Sequence, residues 1–307
     1  MSKRLHILAN FCGALTLLAA LPAWSAPLRV VATLPSLAAI AQAVGGSQVE
    51  VEALTSPRQD PHFADAKPSL IVTLNRADVV LLNGLELEAG WLPPLLVQAR
   101  NPRIQKGALG HVEAARWVQL LAVPRGPIDR AEGDVHPGGN PHFLLDPRAA
   151  SRIAEGLGSV LAKLAPAQAA TFAHNANELV RTLTALTEAE RGRFARLPAA
   201  RRNLVGYHDS LRYWTDWLDL RQVATLEPRP GIAPSPQQLA SVLTTMKATA
   251  TRVVVQEAYY PQNTARTLTQ LAAAHLVVFA AGPQFPGETY AAWLAAQTEA
   301  LHAAMVQ

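Results

Sequence analysis

One uninterrupted helical pattern, from Pro166 to about Leu197, constrains this fold more than any other feature of the sequence. Pro166 suits the first position of a helix. Phe172, Leu179, Leu183, Leu186 and Phe194 fall on or near one stripe, and Pro198 stops the run. About 30 residues at ~1.5 Å each give roughly 45 Å. That is long enough to run the length of two lobes, and about twice what a surface helix needs.

Short apolar runs alternate with helical patterns on both sides of it. Before it, Leu28 to Leu34, Val49 to Leu54 and Val79 to Leu82 read as buried strands. Leu37 to Val44, capped by Ser36 and ended by Gly45-Gly46, and Ser69 to Arg76 read as helices. After it, strands are expected at Leu204 to Tyr207, Gln222 to Leu226, Val253 to Gln256 and Leu276 to Phe279. Helices are expected at Ser210 to Leu218, Pro236 to Ala248, Asn263 to Ala274 and Tyr290 to Met305. Such alternation indicates βαβ units and an α/β fold with a mostly parallel sheet in each half. The chain has 307 residues, half of them apolar and only 16% charged, which suits two domains with a substantial core. The stretch Gly126 to Pro141, rich in Gly and Pro, reads as a loop.

The N-terminus carries a targeting signal. Met1 to Arg4 is short and basic, Leu5 to Leu21 is mostly apolar, and small residues follow at Ala23, Ser25 and Ala26. This is a secretory pattern, with cleavage expected after Ser25. It leaves residues 1–25 as signal peptide, 26–165 and 199–307 as two α/β lobes, and 166–198 as the helix between them. Removing Lys3 and Arg4 takes the formal charge from +4 to +2, too weak to suggest a nucleic-acid partner. The only cysteine, Cys12, leaves with the signal. Any metal must then be held by His, Asp or Glu.

Three of the nine histidines stand out by context. His62 lies in Asp60-Pro61-His62-Phe63, just after a strand. His142 repeats the Pro-His-Phe triplet in Asn140-Pro141-His142-Phe143, eighty residues on. His208 follows the strand Leu204 to Tyr207 directly. In open α/β sheets, ligands bind outside the carboxyl ends of the strands. If the two halves face each other, the three imidazoles can converge in the cleft, and neutral imidazoles suit zinc. His136, in Asp134-Val135-His136-Pro137, sits in the Gly/Pro-rich loop. His111, His174, His275 and His302 lack such context and read as structural or exposed.

The chain resembles the zinc/manganese solute-binding proteins of ABC importers, the class with a long helical spine. The resemblance rests on Asp60-Pro61-His62 with Pro68-Ser69 downstream and on Asn140-Pro141-His142-Phe143-Leu144-Leu145-Asp146-Pro147. It rests also on Tyr207-His208-Asp209 before Tyr213, and on the long helix between the second and third histidines. It implies two α/β lobes joined by a spine helix, metal ligands His62, His142 and His208, and a monomer that delivers its ion to an importer permease from the periplasm.

The sequence departs from that pattern in two places. Many members supply an Asp just after the last strand; here that place reads Phe279-Ala280-Ala281-Gly282-Pro283. Glu257, His136 or water are the options for the fourth ligand. The loop, which is long and rich in His and acids in zinc-specific members, holds only Glu132, Asp134 and His136. Three imidazoles and at most one carboxylate favour zinc over manganese, whose sites are richer in oxygen. Binding rather than catalysis is expected. The rival is a zinc hydrolase with a three-histidine site, but no Glu adjoins a ligand as in His-Glu-x-x-His and no Gly-x-Ser-x-Gly elbow is present. A periplasmic zinc chaperone or adhesin shares the same expected site.

Overall fold

The computed structural model describes residues 26–307 except 125, 127–135 and 230. The signal segment, Cys12, Glu132 and Asp134 lie outside the described residues.

Two four-stranded sheets, each all parallel, form the centres of two lobes. The first contains β1 (Leu28–Ala32), β2 (Val49–Ala53), β3 (Val79–Leu82) and β4 (His111–Glu113), in the order β2-β1-β3-β4. Helices α1 (Pro35–Gly45), α2 (Pro68–Arg76) and α3 (Leu92–Ala99) connect or flank them. The second sheet contains β5 (Asn203–Gly206), β6 (Arg221–Thr225), β7 (Val253–Glu257) and β8 (His275–Phe279), in the order β6-β5-β7-β8. It is flanked by α6 (Arg212–Leu218), α7 (Pro236–Ala248), α8 (Asn263–Ala272) and α9 (Tyr290–Val306). The central strands β3 and β7 are buried along their whole length, as expected of strands covered on both faces.

Both sheets share one topology. The chain moves outward from the first strand to one side, then crosses back to the other. The order therefore reverses between β1 and β3, and again between β5 and β7. Crevices at such reversals, outside the strands' carboxyl ends, are the usual ligand positions of open α/β sheets.

Helix α4 (Pro147–Leu164) and the long helix α5 (Ala169–Phe194) join the lobes. Helix α5 has 26 residues, about 39 Å at the standard rise. It is shorter than the sequence pattern suggests, because Pro166–Gln168 forms a 3-10 turn that brings α4 back against α5. Its buried stripe, Phe172, Ala176, Leu179, Leu183, Thr187 and Phe194, packs on α1 and α4 at one end and on α6 and α9 at the other. A single apolar core runs from Val30 and Phe143 in the first lobe to Trp214, Trp217, Trp293 and Leu301 in the second.

Local signals explain most boundaries. Ser235 caps α7 by accepting from the Gln238 amide, and Asp146 caps α4 by accepting from the Arg148 amide; each is followed by Pro at the first helical position. Ser36 differs from its expected capping role. Helix α1 starts two residues earlier, at Pro35, and Ser36 lies inside it. Its hydroxyl donates instead to the Ala281 carbonyl of the second lobe. No helix among the described residues is long and apolar enough to cross a membrane.

Candidate metal centre

His62 and His142 are presented by the same local device. Asp60 caps the 3-10 turn Pro61–Phe63, its Oδ1 accepting from the His62 amide at 3.0 Å and from His62 Nδ1 at 2.7 Å. Asn140 repeats this, Oδ1 accepting from the His142 amide at 3.0 Å and from His142 Nδ1 at 3.1 Å. The effective unit is thus an acceptor side chain, a proline and a histidine. The short side chain closes a turn on the residue two positions on, while Pro fixes the backbone between them.

Each turn is also held from behind. Trp91 Nε1 donates to the Pro61 carbonyl at 2.9 Å, and Asn83 Nδ2 to the Pro141 carbonyl at 3.0 Å. Asn83 is positioned in turn by Glu88, a buried carboxylate at the β1/β3 reversal. Glu88 Oε1 accepts from Thr33 Oγ1 and from the Asn83 amide, both at 2.6 Å, and Oε2 from the Gly84 amide at 3.2 Å. Burial nevertheless pushes the Glu88 carboxyl above its usual range. The second lobe grips the same segment. Asn140 Nδ2 donates to the Asp209 carbonyl at 2.6 Å, Tyr213 to the Asn140 carbonyl at 2.9 Å and Trp217 to the Leu145 carbonyl at 2.8 Å. His142 is therefore carried by the first half of the chain and fastened by the second.

His208 lies two residues beyond β5, beside the second reversal. Its Nδ1 sits 2.7 Å from Oε2 of Glu227, which is only 5% exposed and follows β6. The same oxygen accepts from the Gly231 amide at 3.3 Å.

One ring nitrogen from each of His62, His142 and His208 lies within 4.8 Å of the other two. The rings are 5.3 Å apart for His62 and His142, 5.6 Å for His62 and His208, and 5.0 Å for His142 and His208, centroid to centroid. In all three, Nδ1 faces an oxygen acceptor, so the Nδ1–H tautomer is favoured and Nε2 keeps its lone pair. Orientation of this kind is what metal-bound imidazoles receive from their outer partners. Nε2 of His62 and of His142 is buried with no hydrogen-bond partner among the described residues. A buried acceptor left so would be costly; a cation at the common point would satisfy both.

The electrostatics differ among these histidines. Burial pushes the His142 pKa well below its usual value, and the neighbouring His208, His62 and His136 add to that. At His208 burial acts the same way, but the hydrogen bond to Glu227 and the charges of Glu257, Glu227 and Asp209 outweigh it and raise the pKa. At Asp60 burial works upward, yet the hydrogen bond and charge of His62 hold the carboxyl below its ordinary range.

The two alternative ligands flank the trio. His136 places Nδ1 2.8 Å from the Leu85 carbonyl, with its ring 5.5 Å from that of His62 and 6.5 Å from that of His142. Glu257, the last residue of β7, is 2% exposed, and burial raises its carboxyl pKa against the pull of His208. Both stand outside the mutual 4.8 Å set. Glu227, Glu88 and Trp91 escaped the sequence reading. Only the Asp60 and Asn140 positions left a local trace, in the residue before each Pro-His.

Comparison with known proteins is consistent with this picture. The family model described as "Zinc-uptake complex component A periplasmic" (ZnuA) matches residues 30–304. The iron-binding protein YfeA of Yersinia pestis is 26% identical over 79% of this chain and 73% of its own length. The manganese-binding lipoprotein MntA of Bacillus subtilis is 30% identical over 61% of this chain and 56% of its own. Among solved structures, a crystal structure of ZnuA is similar with a TM-score of 0.75 at 21% identity, covering 91% of this chain and 99% of that one. A cadmium-bound periplasmic metal-binding protein from Candidatus Liberibacter asiaticus gives 0.74 at 18% identity, covering 91% and 99%.

Proposed function

We propose, from the premise that this chain belongs to the family of periplasmic A components of zinc-uptake complexes, that it is an exported carrier of one divalent cation, zinc by preference, for an ABC importer. The observation that carries this reading is the convergence of His62, His142 and His208 from the carboxyl ends of both sheets. Their Nε2 atoms are the proposed ligands. Asp60, Asn140 and Glu227 set their orientation. The membrane permease of the importer is the proposed partner, and a monomer in the periplasm the proposed working form.

Carriage rather than catalysis fits a site whose ligands come from separate lobes, since a small relative movement of the lobes draws His208 away from His62 and His142 and opens the site. The shared apolar core across the lobes limits that movement to small tilts and loop adjustments. Relatives are named for iron and for manganese, so the metal must be argued from the donors. Three imidazole nitrogens favour zinc, whereas manganese takes more oxygen.

Equilibrium competition between zinc and manganese on the secreted form tests the preference. We expect zinc to bind at least about a hundredfold more tightly, roughly 2.8 kcal/mol. Equal affinities would remove zinc as the cargo.

A further inference from the structure

The strands of the second sheet all run parallel, and His208 lies beyond the carboxyl end of β5. Their starts therefore form the opposite face of that lobe. Helices α5 and α7 end on this face too, because each is followed by the next strand. Arg201 Nη1 donates to the Met305 carbonyl at 3.2 Å and ties the end of α9 there as well.

A groove of about 760 Å³ opens on this face, between the ends of α5 and α9 and the turn Ala199–Arg201 that leads into β5. Arg193, Arg196 and Arg201 line it beside the apolar Leu197, Pro198 and Val306. Glu190, also in the lining, is 3.6 Å from Arg193, which engages Glu299 on its other side. Arg202 holds Asp219 at 2.6 Å. The cations outnumber these partners. Arg196, Arg201, Arg221, Lys247 and Arg252 are exposed and have no acidic partner among the described residues. Cations near helix C-termini offset the helix dipole, which accounts for Arg193 in α5 and Lys247 in α7. It does not account for Arg221, which opens β6, or Arg252, which precedes β7.

Like charges gathered on one face repel one another. A single small anion relieves that repulsion at one point, whereas a surface bearing many phosphates relieves it across the face. Guanidinium groups suit such a surface, because their forked N–H groups match phosphate oxygens. The apolar walls between the arginines suit carbon next to the phosphate, which a free phosphate lacks.

We propose that this face is a docking surface for anionic phospholipid headgroups, and that the groove between Arg196 and Arg201 seats one phosphodiester with its glycerol carbons. The metal centre lies across the sheet from it, roughly 15 Å away along the strands. A carrier resting on a bilayer by this face keeps its metal centre turned to the surrounding fluid. The inference goes beyond the three-imidazole site and does not depend on it.

Co-sedimentation of the secreted form with vesicles tests it. Vesicles containing phosphatidylglycerol should bind the protein and pure phosphatidylcholine vesicles should not, with binding falling as salt rises. Each Lys or Arg near an anionic surface is a factor of about five in partitioning. Arg196→Glu removes one such factor and adds repulsion, so the partition coefficient should fall by about 5- to 25-fold. Adding Arg252→Glu should lower it again by a similar factor. Arg58→Glu makes the same charge change in the loop beyond the carboxyl end of β2, on the opposite side, and should cost less than about twofold. Zinc affinity and unfolding temperature of the variants should match wild type, which separates lost docking from lost fold. Equal binding to both kinds of vesicle would overturn the inference, as would an Arg58→Glu loss as large as that of Arg196→Glu. Release from vesicles by millimolar inorganic phosphate at constant ionic strength would assign the groove to a free anion and overturn it too.

Discussion

Replacing His62, His142 or His208 by alanine, one at a time, should weaken zinc binding by about two to three orders of magnitude in each case. Zinc held by three or four protein ligands gains about 10–16 kcal/mol in comparable structural sites. One ligand's share is about 3–4 kcal/mol, and each 1.4 kcal/mol is tenfold in affinity. The three losses should be similar, because each imidazole brings its own oriented Nδ1–H and its own lone pair. Substituting His174, exposed on α5, should change nothing and serves as the control. Competition titration with a chromophoric chelator reads all four. An unaltered affinity in any of the three would take that residue out of the site.

Removing the metal should lower the unfolding temperature by about 8–16 °C relative to protein with zinc at a thousandfold excess over its dissociation constant. Binding to the folded state alone contributes about 4.1 kcal/mol at that excess. In chains of similar size, each kcal/mol moves the midpoint by about 2–4 °C. The gap should narrow on acidification, and the sign follows from the histidines. A proton on Nε2 excludes the ion. His208 has a raised pKa in the metal-free fold, so proton competition starts there, from above the ordinary histidine value downward. His142, with a lowered pKa, stays neutral further into acid.

The two histidines act oppositely on the metal-free fold. A raised pKa at His208 adds stability below the unfolded value, and that is lost as pH rises through the folded one. The lowered pKa of His142 removes stability as pH falls below the unfolded value. Only the metal-bound form loses its advantage from both. Differential scanning of both forms between pH 8 and about pH 5 checks this. A gap that is constant with pH would exclude imidazole ligation.

The elements with local signals were legible. Strand β3 and helix α7 fall where Val79 to Leu82 and Pro236 to Ala248 place them. His62 and His142 were legible because an acceptor, a proline and a histidine within three residues make a turn that needs nothing distant to form. His208 was legible from its place at a strand end. Its partner Glu227 was not. It lies 19 residues away and comes near only because β6 pairs with β5, a fact of topology rather than of local pattern. The same holds for Glu88, whose role depends on β1 and β3 lying side by side. The fastening of the His142 segment by Tyr213, Trp217 and Tyr290 was hidden for the same reason. Those bonds cross between 72 and 146 residues of chain. Helix α5 was legible as a long helix but not in its start. Pro166 suits a 3-10 turn as well as a first helical turn, and packing against α4 selected the former.

X-ray absorption at the zinc edge, on the loaded protein in solution, tests most directly whether imidazoles from both lobes enclose one ion. Three imidazoles per zinc are expected from the multiple-scattering pattern, at about 2.0–2.1 Å, falling to two in His208→Ala. A spectrum with one imidazole or none, or one that His208→Ala leaves unchanged, would contradict it.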